Sequence, residues 1–367
     1  MILRENYKDV QQFLKHHKRA RQNCKGTLDN YEYQLRYALK WCDSVPFGEF
    51  QKVKMTFPEF LRVESDNYTK MSETSCADIC ALTREFFRFQ VSENQARYKN
   101  IKESDIDMIR INVTSDSTKT AKYYSLDEME KIVKYQPETL ALKRAKAGAC
   151  FLFLSGARIS AFVSMPVECV NLQQKTVYQF PDYGVVTKFS KKAITTLLPI
   201  PSLLDVVREW ENILTVNNIP SNALWYSRID RSGSRLLPDY PIPGNHDEAY
   251  KKARHDGTKF REDLQRLCTL ADVEYKNPHA FRHGHVHYGL SRAKTLEQAK
   301  AISQNVMHAS TAVTDELYSR MTYKGVSDII SNLGDTGSTS STTDVKQLLS
   351  GMTDEDKKAL IKELLGL

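Results

Sequence analysis

Residues 277–290 read NPHAFRHGHVHYGL and hold four of the nine histidines: His279, His283, His285 and His287. A metal site is one reading. The spacing H-x3-H-x-H-x-H places His279 and His283 on one helix face, while His285 points elsewhere. No Asp or Glu falls between His279 and His287, HExxH is absent and no cysteine lies near, so a zinc ligand set is poorly supplied. The other reading takes HAFR as a unit. His279 and Arg282 are three apart and share one helical turn. A proton acceptor beside a guanidinium fork suits a phosphodiester: Arg holds two non-bridging oxygens and His moves a proton. Alone the pair has little specificity, since HxxR arises by chance in many helices.

Further basic and nucleophilic residues lie outward from this stretch. LSGARIS places Arg158 near the end of a strongly apolar helix read over 142–165. A buried Arg is costly unless an acid or anion meets it. In GVVTKFSKKAITTLLPIP, Lys188 falls in the turn of a β-hairpin. NVMHASTAVTDELYSRM supplies His308 and, ten residues on, Tyr318.

The bulk numbers permit a nucleic-acid partner without demanding one. The 367 residues carry a net charge of +7, and the pI is about 8.8. Local basic runs at 14–26 and 250–261 suit a polyanion, though a lone run is more often a solvated face. The seven cysteines show no paired spacing. Cys76 and Cys80 share a helix face and read as buried thiols. No apolar run reaches the roughly 18 residues needed to span a bilayer, and no charged-then-apolar leader opens the sequence. The expectation is a cytoplasmic, nucleoid-associated protein with no membrane partner.

The organisation read along the chain is an N-terminal helical domain over 1–111, an interdomain linker over 112–124 and a second domain over 125–333. A flexible linker at 334–344 and a C-terminal amphipathic helix at 345–367 follow. Thr27, Thr56, and Ser72 or Thr74 are the N-cap candidates of the first domain. Ser125 and Glu128 have the spacing of a capping box. KTVYQF, YGVVTKF and AITTLLPIP read as a small antiparallel sheet, 226–258 as loop-rich, and the chain from 259 as helical again. The fold class is mainly α with a small antiparallel β-sheet.

The order Arg158, Lys188, His279-x-x-Arg282, His308, Tyr318 resembles the signature of the tyrosine recombinase, or phage-type integrase, family. The resemblance covers most of the chain. SETSCADICALTREFFRFQVSEN resembles a DNA-contacting helix of the family's core-binding domain, and YSLDEMEKIV the opening of its catalytic domain. TKFSKKAITTLLPI resembles the catalytic-lysine hairpin. There are departures. Ala161 stands where an acid often follows the first Arg, and Val306-Met307 replaces the usual Leu-Gly. The spacing from His308 to Tyr318 is one residue longer than commonest, which makes Tyr323 a rival nucleophile. His283, His285 and His287 match no catalytic position and are expected to pack or to contact DNA backbone.

The resemblance implies a site-specific recombinase of a mobile element that joins DNA through a 3′-phosphotyrosine. Tyr318 is the nucleophile and His279 its base. Arg158 and Arg282 hold the phosphate, His308 donates to it, and Lys188 protonates the leaving oxygen. No metal or cofactor is expected. The partner is double-stranded DNA, with a homotetramer on two duplexes and accessory DNA-bending proteins as further expectations. The tethered helix at 345–367 would link neighbouring protomers. Three rivals stay open: a type IB topoisomerase-like enzyme, a non-cutting sequence-specific DNA-binding protein and a metal-dependent nuclease.

Overall fold

The computed structural model describes residues 2–21, 25–113, 122–307 and 330–331. They fall into two compact units, 1–119 and 120–367.

The first unit is helical: α1 (Arg4–Arg19), α2 (Lys25–Cys42), α3 (Phe57–Glu64), α4 (Glu73–Glu93), α5 (Gln95–Tyr98) and α6 (Glu103–Asp107). In α1, Val10, Phe13, Leu14 and His17 recur at helical spacing and are all buried. They meet the buried face of α4, where Phe13 and Phe47 both pack edge-on against Phe86. Thr56 and Glu59 form the capping box of α3, and Ser72, rather than Thr74, caps α4. Thr27 is not a cap, because α2 is already helical at Lys25. A buried charge is also satisfied here. Asp9 accepts a two-pronged Arg97 fork at 2.8 Å on each oxygen and the Tyr98 hydroxyl at 2.7 Å, which offsets its desolvation.

The second unit is built on α8 (Leu140–Ser155), preceded by α7 (Leu126–Lys134). From Arg144 onward every residue of α8 is buried. Its stretch 147–154 is apolar on all sides and must be enclosed, and α10 (Pro201–Val216), α11 (His246–Leu270) and α12 (His279–Arg292) pack on the helix. The short α9 (Ile159–Val163) follows α8, and α13 (Leu296–Asn305) ends the described helices apart from a fragment at 330–331. Ser125 and Glu128 close the capping box of α7. Tyr124, fully buried, accepts from Lys276 N–H and donates to the Lys276 carbonyl, both at 2.8 Å.

The helix read over 142–165 is broken. Gly156, at φ +60°, ends α8, because glycine takes the left-handed C-cap without a Cβ penalty. Arg158 therefore caps the start of α9 rather than lying inside a long helix.

The sheet is antiparallel, order β1-β2-β3, with β1 Val170–Asn171, β2 Thr176–Gln179 and β3 Ala193–Thr196. The strand expected from YGVVTKF does not form. Gly184 at φ +80°, Phe189 at +59° and Ser190 at +50° are incompatible with extended backbone, so 180–192 is an irregular connection between β2 and β3. A second hairpin, β4 (Arg228–Ile229) with β5 (Leu236–Leu237), precedes α11. That helix starts thirteen residues before the expected 259, with the Asn245 side chain accepting Glu248 N–H. Its buried face in that stretch is Ala249, Ala253 and Gly257, residues too small and too outnumbered by charge to mark an apolar stripe.

Candidate active site

The first turn of α12 is shaped by its opening residues. The Asn277 side-chain oxygen accepts the His279 N–H at 2.9 Å, and Pro278 stands at φ −59°, preset for helix entry. His279 and Arg282 then project from one turn, as their spacing requires. His283 lies edge-on against His279, ring centroids 4.6 Å apart.

Arg282 is buried, 2% exposed. One guanidinium nitrogen donates to the Gly156 carbonyl at 2.8 Å and another to the Val306 carbonyl. It thereby ties α12 to the turn before Arg158 and to the end of α13, two residues ahead of His308 in sequence. Among the described residues, two of its five N–H groups are used in this way. Burial and the neighbouring Arg158 charge lower its pKa to about 9, still protonated at neutral pH.

Arg158 is half-buried, and burial lowers its pKa. Ala161, where an acid could have met it, is packed in the core at 1% exposure. Among the described residues no carboxylate pairs with Arg158, Arg282, His279 or His283. His279 is pushed well below the ordinary imidazole value by burial, then by His283, Arg282 and Arg158. The residue is nevertheless exposed at the surface, so solvent screens part of that field. The arrangement is two guanidinium groups and a neutral imidazole with no counter-charge among the described residues, a chemistry that accepts an oxyanion and a proton.

The other expected site residues fall differently. Lys188 is exposed on the β2–β3 connection, its Nζ 5.1 Å from the centre of the Phe189 ring. His308, Tyr318 and the rival Tyr323 lie outside the described residues, as does the helix expected at 345–367. Of the remaining histidines, His285 is fully buried, and His287 is exposed and stacks on Tyr123 at 4.2 Å. Among the described residues no three His, Cys, Asp or Glu side chains gather in a way that could hold a metal.

A buried polar clasp beside this cluster was not legible in the sequence. His285 Nδ1 is 2.9 Å from the Phe153 carbonyl and its Nε2 3.4 Å from Asn305 Nδ2. The Nδ1–H tautomer satisfies both contacts. Burial lowers the His285 pKa to about 4, which keeps the ring neutral. Asn305 meets the Thr196 backbone as a strand would, accepting from N–H at 2.7 Å and donating to C=O at 2.9 Å. It so covers the open edge of β3. Only the presence of a polar Asn just ahead of Val306 could have hinted at this.

The first unit presents a separate basic groove of about 690 Å³ beside α1 and α4, lined by Arg4, Lys8, Lys15, His16, Arg19 and Phe89 among others.

Residues 122–324, more than half of the chain, match the family model described as "Phage integrase family". The chain belongs to the phage integrase family. It is a tyrosine recombinase, a site-specific enzyme that cuts and rejoins DNA strands. Solved integrases and recombinases share its fold. A dimer of lambda integrase bound to a COC′ core site aligns at TM-score 0.53 and 13% identity, over 86% of this chain and 98% of that one. The Tn1549 transposon integrase in complex with circular intermediate DNA aligns at 0.52 and 13%, over 86% and 97%. XerH recombinase bound to a palindromic difH substrate aligns at 0.52 and 15%, over 82% and 78%. No curated protein matches the chain by sequence. The part of the integrase model that runs past Met307 takes in His308, Tyr318 and Tyr323. No helix among the described residues is long and apolar enough to cross a membrane.

Proposed function

We propose that this integrase cleaves duplex DNA with Tyr318 as nucleophile, in a site formed by Arg158, Lys188, His279, Arg282 and His308. The observation that carries the reading is the cluster of Arg158, His279 and Arg282, without a carboxylate among the described residues to neutralise it.

The Tyr318 hydroxyl attacks the scissile phosphorus and its proton passes to His279. A phenol of pKa near 10 is a poor nucleophile at neutral pH, so it needs that base and the positive field of two arginines. The same field weakens His279 as a base in the free enzyme. Entry of the phosphate offsets it and returns the imidazole towards its ordinary value. Arg158 and the remaining N–H groups of Arg282 stabilise the charge on the non-bridging oxygens, and His308 adds a hydrogen bond. The bond from phosphorus to the 5′ oxygen breaks, and Lys188 protonates that oxygen. A 3′-phosphotyrosine and a free 5′-hydroxyl result. Attack by a 5′-hydroxyl of the partner duplex reverses the step without metal or nucleotide.

In the same reading, residues 1–111 form the core-binding domain. The basic groove beside α1 supports a phosphate-contacting role, with salt-dependent binding as the consequence. The family resemblance further implies a tetramer on two duplexes, bridged by the helix at 345–367, and a cytoplasmic enzyme working at the nucleoid for a mobile element.

The test is a nicked suicide duplex carrying the native site, taken from DNA flanking the coding sequence. Wild type, Tyr318→Phe and Tyr323→Phe are incubated with it in the presence of chelator. A covalent adduct on a denaturing gel, lost only in Tyr318→Phe, is expected. An adduct lost only in Tyr323→Phe would move the nucleophile. Sequence-specific binding without any adduct would overturn the reading.

A further inference from the structure

Phe189 is 73% exposed, the most open aromatic among the described residues of the second unit. Its backbone is strained as well. Phe189 and Ser190 both stand in the left-handed region, at φ +59° and +50°, which non-glycine residues rarely adopt. The base of the loop is held in place. Val185 and Val186 are buried, and Val186 N–H donates to Ser164 Oγ at 2.8 Å. The Thr187 hydroxyl reaches across to the Lys191 carbonyl at 2.8 Å. A hydrogen-bonded, buried root thus presents an apolar tip, an arrangement that calls for a partner.

The surroundings define that partner. Lys188 lies by the ring, Lys191 and Lys192 follow it within three residues, and all three are exposed; among the described residues the acid that pairs with this group is Asp182, on Lys192. An aromatic face set among lysines suits a polyanion that also offers flat π surfaces, namely the bases of a duplex. Apolar side chains wedged between base steps unstack and kink DNA in this way.

We propose that Phe189 is a wedge that stacks into the base step beside the scissile phosphate. The inference rests on Lys188 protonating the leaving 5′ oxygen. Its Nζ lies 5.1 Å from the Phe189 ring centre, so a lysine delivered to that oxygen brings the ring to the adjoining bases. Lys191 and Lys192 then face the phosphates on either side. Unstacking that step loosens the cut 5′ end from its own strand, which the transfer to a partner duplex requires.

The test uses the full chain carrying Tyr318→Phe, so that binding is read without cleavage. The native-site duplex carries 2-aminopurine next to the scissile phosphate. Binding should raise the fluorescence several-fold when Phe189 is present. Phe189→Ala should abolish the rise and weaken binding roughly tenfold, the scale of one lost base stack. Phe189→Tyr should keep the rise, and Lys188→Ala should keep it too while slowing adduct formation in the cleavage-competent chain. A rise undiminished in Phe189→Ala overturns the wedge and leaves the role of Lys188 standing. Loss of assembly in Phe189→Ala with the rise unchanged would assign the ring to a protein contact instead. If the parent chain fails to bind the duplex, the proposed function falls and the wedge with it.

Discussion

Asn305→Ala should destabilise the second unit far more than one polar side chain suggests. Asn305 is 2% exposed, and its amide satisfies both the N–H and the C=O of Thr196. Thr196 is fully buried, so truncation leaves these two groups without the amide that met them. A buried polar group left without a partner costs about 1–3 kcal/mol, so the pair should cost about 4 kcal/mol. Loss of the longer contact to His285 Nε2 adds to this. For a unit of this size each kcal/mol moves Tm by about 2–4 °C, which gives a fall of roughly 8–16 °C. The assay is thermal unfolding of the full chain followed by tryptophan fluorescence. Trp210 and Trp225 are buried in the second unit and Trp41 in the first, so a Trp41→Phe background reports the second unit alone. A fall of less than about 3 °C would refute the edge-covering role. Because Asn305 directly precedes Val306, whose carbonyl Arg282 holds, adduct formation should decline with stability.

Two further outcomes follow from the site. His279 has its pKa lowered in the folded state, so the neutral base persists below the ordinary value of 6.5. The rate of adduct formation at subsaturating DNA should therefore fall only when pH drops beneath that value, and Arg158→Met should move the acid limb back up. A wild-type limb at or above 6.5 refutes this. The same lowering at His279 and His285 means the unfolded chain binds more protons, so stability is full above pH 6.5 and is lost on acidification. Gly156→Ala places a Cβ 2.6 Å from Val306 Cγ1 at a φ of +60°. The left-handed backbone alone costs about 1–2 kcal/mol, so a Tm fall together with a weaker adduct band is expected. Unchanged melting and cleavage would show that this turn relaxes freely.

The family and the local devices that rest on neighbouring residues were legible along the chain. Capping at Thr56 and Ser125 follows from hydrogen bonds spanning three residues, with Ser72 and Thr74 left as alternatives, and the pairing of His279 with Arg282 from the pitch of one helical turn. The apolar run of α8 was legible because a helix with no polar face must be buried. Tertiary structure decided whatever depends on distant carbonyls and on space. Arg282 reads as a phosphate ligand in sequence, yet two of its N–H groups brace backbone at positions 156 and 306, which only folding brings to it. The same holds for Asn305 and the edge of β3, and for His285, whose burial fixes its neutral state. The strand expected across 183–189 gave way because its two buried valines are anchored by the core, while left-handed residues at 189 and 190 turn the chain outward. Local hydrogen bonding and periodicity are written within a few residues of sequence. The partners of buried polar groups are set by packing, and pattern along the chain does not encode them.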